Sequence, residues 1–143
     1  AGHMGVLEFG AGLYYLYICI DRALLAENLG GDEALTQKAL NALVTAACTV
    51  APTGKQASYA SRAYACFALA EKGDDTPRNL SLAFLRPVSE PQDGSIAQAA
   101  IRALEDTKGK MDKVYGQSPD STYFDAIAGE GSLAALTSFV AAE

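Results

Sequence analysis

Histidine is almost missing from this chain. The one imidazole, His3, sits within Ala1-Gly2-His3-Met4, which reads as the stub of a cleaved tag followed by an initiator methionine and is set aside from fold reasoning. Without it there is no histidine left, so Ser-His and Cys-His nucleophiles, histidine acid–base work and histidine-ligated metals drop out together. Cysteine is sparse and scattered. Cys19, Cys48 and Cys66 form no CxxC pair, which speaks against zinc and thioredoxin-like sites. Their expected role is that of small buried hydrophobes in a reducing cytoplasm. No apolar run approaches the ~18 residues of a bilayer-spanning helix; the longest, residues 13–20, has the length of a strand. No secretory signal with a basic flank and cleavage site is visible, so a cytoplasmic protein without membrane contact is expected. A basic excess is missing too. The net charge of -6 argues against a stand-alone nucleic-acid binder, which is usually basic, and any RNA-binding reading has to explain that sign.

What is present fits one domain of 143 residues, half of them hydrophobic and a fifth charged, enough to bury a core. Residues 6–20 are rich in Tyr, Ile and Leu, and read as a long strand bent at Gly10 and Gly12. Tyr15, Tyr17 and Cys19 fall on one face, Tyr14, Leu16, Ile18 and Ile20 on the other. With neither face polar, a central, doubly covered strand is expected. Asp21 can N-cap a helix over 22–29 that Gly30 would end. Asp32 can open a longer helix, with Glu33 complementing its dipole and a stripe at Leu40, Leu43, Val44, Ala47 and Ala51. Pro52-Thr53-Gly54 would end it, and residues 57–70 would return as a second strand, giving a β-α-β unit. Residues 71–78 read as a polar loop, 80–85 as a strand or helical turn, and 86–94 as a linker with two prolines. Ser95 and Gln98 form a capping box for a helix with its stripe at Ala97, Ala100, Ile101, Leu104, Met111 and Tyr115, weakened by Gly109. Ser132 can cap a last helix carrying Leu133, Leu136 and Val140 on one face. The element order is α+β.

Few residues carry chemistry. Gly54-Lys55 invites comparison with a phosphate-binding P-loop, but Thr49 stands where the first glycine belongs and Gln56 where Ser or Thr belongs. The expected order is also helix to strand rather than strand to helix. What survives is a glycine turn presenting Lys55, Gln56, Ser58 and Tyr59. A cation with free backbone N–H groups suits phosphodiester oxygens, and a tyrosine can stack on a base. On residue types alone the same turn also reads as a plain helix-to-strand connection with a solvated lysine. Asp74-Asp75 and Glu105-Asp106 lack a cationic or metal-like partner nearby in sequence and read as solvated acidic surface. The tyrosines of the first strand read as core, and the RNP1 pattern of RNA-recognition domains is absent.

Several stretches together resemble a known family. Gly5-Val6-Leu7-Glu8-Phe9 followed by Tyr14-Tyr15-Leu16-Tyr17 resembles its strand opening. Glu27-Asn28-Leu29-Gly30-Gly31 matches a signature in type and position, as does Pro52-Thr53-Gly54-Lys55-Gln56 with Ser58-Tyr59-Ala60. Leu80-Ser81-Leu82-Ala83-Phe84 looks like its later Leu-Ser-x-Ala-Phe element. The family is the Cascade backbone subunit (CasC) of type I-E CRISPR systems, and the blocks span residues 5 to about 88 in the right order.

The resemblance implies a modified RNA-recognition (ferredoxin-like) palm whose copies stack along a guide RNA, cover its backbone and leave bases free to pair with target DNA. It implies no enzyme activity and no cofactor. The implied partners are the guide RNA, other copies of the chain, other Cascade subunits and, through the guide, target DNA. Thr53, Gly54, Lys55, Gln56, Ser58 and Tyr59 would lie near the guide. Two departures stand out: Ala57 replaces a usual polar residue, and Ser61-Arg62-Ala63 replaces an Asn-Pro neighbourhood. Family members are also longer, so residues 5–143 are expected to be a C-terminal portion with an incomplete sheet. The basic RNA-facing parts would then lie elsewhere, which accounts for the acidic charge. The alternative from a different class is a protein-interaction module of a multisubunit complex that does not touch RNA.

Overall fold

A computed structural model describes residues 5, 8, 10–89 and 94–142. Residues 1–4 with His3, the Val6-Leu7 and Phe9 positions of the first resemblance block, and residues 90–93 of the expected linker lie outside the described residues. Capping side chains set the helices. The Asp21 carboxylate accepts from Leu24 N–H at 2.9 Å and starts α1, Arg22–Asn28. Gly30 and Gly31, at φ +72° and +76°, turn the chain out of it. Asp32 accepts from Leu35 N–H at 2.9 Å and starts α2, Glu33–Thr49. A one-turn α3, Gln56–Tyr59, precedes β1, Phe67–Lys72. A 3-10 helix, Leu80–Phe84, leads to α4, Ile96–Tyr115, whose Ser95–Gln98 capping box is fully formed. Then come β2, Asp120–Asp125, and α5, Leu133–Ala141, capped by the Ser132 hydroxyl.

β1 and β2 pair antiparallel, Phe67 opposite Asp125 and Lys72 opposite Asp120. One face of this two-stranded sheet is covered by helix. Cys48 of α2, Phe124 of β2 and Leu136 of α5 form the core, with Val44, Ala65, Ala68, Ala70 and Leu133 packed against it. The small Ala68 and Ala70 let the helices approach the sheet closely. On the other face Phe67 stacks on Tyr123, centroids 5.9 Å apart, a diagonal cross-strand pair. α4 packs on the 3-10 helix, where Leu80, Ala100 and Leu104 are buried.

Polar ties join these layers. Arg78 reaches Glu71 of β1 through Nη2 at 2.5 Å and Nε at 3.1 Å, and Asp112 of α4 at 2.6 Å. Lys108 completes the square, 2.9 Å from Asp112 and 3.5 Å from Glu71. At the far end, Arg22 and Lys72 both donate to the Ala142 carbonyl, at 2.6 and 3.2 Å. They supply the cations that α5 lacks in its own last turn. Lys72 also lies over the Phe139 ring at 5.1 Å.

The α+β class holds, as an incomplete sheet with packed helices, but several sequence-based expectations change. First, residues 10–20 form no ladder, and Tyr14 and Leu16 are 84 % and 68 % exposed. Exposure still alternates, with Tyr15 and Tyr17 both at 39 %. The period-2 pattern is real, but a strand also needs a partner, and none lies alongside among the described residues. Tyr15 anchors the segment instead. Its hydroxyl accepts from Leu80 N–H at 3.2 Å and its ring meets Phe84 at 5.3 Å; burial is the main reason its phenol titrates higher than usual.

Second, there is no β-α-β unit. Residues 57–66 hold part of α3 and an irregular stretch, and β1 pairs with β2, a strand the hydrophobic pattern missed because only Phe124 of it is buried. Third, the buried edge of α2 runs Thr36, Leu40, Cys48 and leaves Leu43 42 % exposed; Tyr115 of α4 is exposed too, and α4 runs unbroken through Gly109. Fourth, Asp106 does have a partner, Lys110, one helical turn on.

The thiols also divide. Cys48 is buried, Cys66 intermediate and Cys19 exposed, against the expectation of three buried cysteines. Burial pushes the Cys48 thiol above its ordinary pKa, so it is both shielded and protonated at neutral pH. A thiol reagent added to the native protein should therefore label Cys19 at once, Cys66 more slowly, and Cys48 only on unfolding. Mass spectrometry of timed quenches reads this directly, and early labelling of Cys48 would contradict it.

Candidate nucleic-acid interface

The connection from α2 to β1 is a closed loop. Thr49 ends α2 with its hydroxyl on Thr45 O at 2.7 Å. Ala65 N–H then donates to Cys48 O at 2.8 Å, so residues 49–64 leave and return at one point. Loops of this kind are held by their own side chains and are often functional. Here the internal prop is Gln56. Its Nε2 donates to Pro52 O at 2.5 Å and to Ser61 O at 2.9 Å. Two carbonyl partners fix the amide orientation, since a flipped amide would face oxygen with oxygen. Oε1 is left buried and without a hydrogen-bond partner among the described residues.

Two non-glycine residues of the loop sit in the left-handed region, Lys55 at φ +59° and Ala60 at φ +48°. That conformation costs an L-residue about 1–2 kcal/mol and persists where surroundings impose it. The surroundings are the turn of α3: Ser58 and Tyr59 N–H donate to Lys55 O at 3.0 and 2.9 Å, and Ala60 N–H to Gln56 O at 2.9 Å. The unusual backbone is thus on Lys55, one residue beyond the glycine expected to provide it.

The six residues expected near RNA stand in two settings. Thr53, Gly54, Lys55 and Ser58 are exposed, and Lys55 makes no ion pair among the described residues. Gln56 and Tyr59 are half-buried. The Gln56 N–H groups are committed inside the loop, so this side chain shapes the turn. Pro52, Thr53, Gln56, Ser61, Arg62 and Tyr64 line an open cavity of about 270 Å³ with Thr49 and Ala51. Arg62 and Tyr64 were not among the expected site residues. Reading 57–70 as a strand hid them, because a strand would carry them away from the turn. The one available signal was the departure Ser61-Arg62-Ala63.

A second cavity of about 240 Å³ lies between α4 and β2, with Arg102 against three carboxylates, Glu105, Asp125 and Glu130. Tyr123 donates to Glu130 at 3.0 Å, and that bond holds the phenol's pKa above its usual value. The two cavities differ in sign: the first has no carboxylate in its lining. No group of three metal-ligating side chains occurs among the described residues, and no helix among them is long and apolar enough to cross a membrane.

Compared with known proteins, the chain matches the family model described as CT1975-like protein over residues 1–139. No curated protein matches it.

Proposed function

Because the chain belongs to the CT1975-like family of CRISPR-associated (Cas) proteins, we propose that it is a non-catalytic RNA-coating subunit of a type I-E Cascade complex, acting through the 49–64 loop. The carrying observation is Lys55. An exposed cation, free of ion pairs among the described residues, stands on a turn whose backbone is fixed from inside by Gln56. Coating a guide irrespective of its sequence needs contacts to phosphate and sugar, made by cations and backbone donors and not by base-edge readers. On this reading the helices and the two-stranded sheet are part of a ferredoxin-like palm, and the partners are guide RNA, further copies of the chain and other Cascade subunits.

Lys55→Ala should weaken binding to single-stranded RNA about equally for different sequences. It should lower the slope of log affinity against log salt by about 0.7, the share of one phosphate contact. Titrations of two unrelated RNAs at four salt concentrations decide it. Unchanged affinity and slope would make Lys55 a solvated turn lysine; a loss confined to one sequence would indicate base readout and overturn the coating role.

One observation favours the second reading, a protein-interaction module. Tyr14 and Leu16 present apolar surface outward from a segment with no ladder, and partner chains cover such surface in complexes. Association that persists as salt rises, in protein that binds no RNA, would select it.

A further inference from the structure

We infer that the carboxylate-free cavity of the 49–64 loop is a subsite for one nucleotide, in which Tyr64 stacks on an unpaired base and Arg62 binds the adjoining phosphate. The inference deepens the RNA-coating role and rests on it.

Charge makes the first part of the case. The chain carries 17 acidic residues against 11 basic, so its net charge repels a polyanion. The lining of this cavity holds Arg62 and no Asp or Glu, and Lys55 stands next to Gln56 in the same loop. Arg62 is exposed and makes no ion pair among the described residues, so its guanidinium can approach a phosphate without first breaking a protein contact. The cavity between α4 and β2 is of similar size but sets one arginine among three carboxylates, and RNA would be turned away there.

The aromatic makes the second part. Tyr64 is 72 % exposed, yet it borders a cavity and stands three residues before β1. An aromatic face at such a position offers a stacking surface, and stacking tolerates any base because every base has a π-face. That suits a protein which must hold many guides without choosing among them. At about 270 Å³ the cavity falls just under the ~300 Å³ where drug-sized pockets begin. It accommodates a single base, not a run of them.

Preorganisation makes the third. The clasp from Ala65 to Cys48 and the two bonds of Gln56 tie the loop at its ends and across its middle. Binding therefore orders little that is not already ordered.

The test uses two probes of equal length, single-stranded oligo(A) RNA and an abasic ribose-phosphate oligomer, with binding followed by anisotropy at several salt concentrations. Wild type should prefer oligo(A) about tenfold, the scale of one stacked base. Tyr64→Ala should lose that preference with an unchanged salt slope, and Tyr64→Phe should keep it. Arg62→Gln should keep the preference and lower the slope by about 0.7. Both side chains are exposed, so the variants should melt like wild type. If wild type binds both probes equally, or Tyr64→Ala keeps the preference while Lys55→Ala still weakens binding, the subsite is wrong and the coating role stands. If wild type binds neither probe, the RNA reading fails and takes the subsite with it.

Discussion

Arg78→Met should destabilise the protein by about 3 kcal/mol, the scale of breaking a largely buried ion pair by removing one partner. The Arg78 side chain is 9 % exposed, Glu71 19 % and Asp112 27 %. With the guanidinium gone, two carboxylates share the single ammonium of Lys108, which is 3.5 Å from one and 2.9 Å from the other. Both negative charges stay largely shielded from water with too little compensation. The exposed Lys110–Asp106 pair is the control: its side chains are 73 % and 60 % exposed, and Lys110→Ala should cost at most about 0.5 kcal/mol. Urea titrations of both variants separate the two cases.

The same square dictates an acid limb. Burial alone would raise the Asp112 carboxyl, but the hydrogen bonds from Lys108 and Arg78 outweigh it and hold the group below its ordinary value of 3.8. A carboxylate depressed in the folded state stabilises above its unfolded pKa, and that contribution disappears as pH falls through the folded one. Stability should therefore drop below about pH 4, and less steeply in Asp112→Asn. Glu71, by its hydrogen bonds, keeps Arg78 protonated beyond the usual guanidinium range, so no matching alkaline limb is expected from it.

Gly131→Ala should be at least as damaging, costing about 3 kcal/mol and lowering the Tm by about 10 °C. Gly131 has φ +67°, and a Cβ there would stand 2.4 Å from Tyr123 O and 3.0 Å from Phe124 Cα. The obstacle is backbone of β2, the strand that carries Phe124 into the core. The turn cannot relax cheaply, because Asp125 N–H donates to Glu130 O and Glu130 N–H to Asp125 O, both at 2.9 Å. Gly129 separates sterics from conformation. It too is left-handed, at φ +75°, but with open space around its Cβ position. Gly129→Ala should cost only about 1 kcal/mol. Equal losses at the two positions in a thermal melt would exclude the backbone clash as the cause.

The sequence showed its local instructions clearly and its pairings poorly. Asp21, Asp32, Ser95 and Ser132 each cap the helix expected of them, because a cap is a bond between residues two or three apart and needs no other part of the chain. Residues 10–20 carry a strand pattern without a strand, and β2 is a strand almost without a pattern; in both, the missing information is which segment lies alongside. The outcome at the candidate site follows the same division. Residues 53–59 were recognisable from their types and order, as a turn bearing a lysine. The folding-back of the loop, which adds Arg62 and Tyr64, depends on the Ala65–Cys48 and Gln56–Ser61 bonds, which no local pattern announces.

The shared carbonyl of Ala142 bears on the order in which the molecule comes together. α1 buries none of its residues, and its bond from Arg22 to Ala142 spans 120 positions of sequence. Closing so distant a contact costs more chain entropy than any cap or turn, and its return is a single hydrogen bond. It is expected to form after β1 has brought Lys72 to the same oxygen, which would make α1 the last element to dock and the first to leave. Its amides should exchange with solvent through small local openings, while those around Cys48, Phe124 and Leu136 exchange only through larger ones.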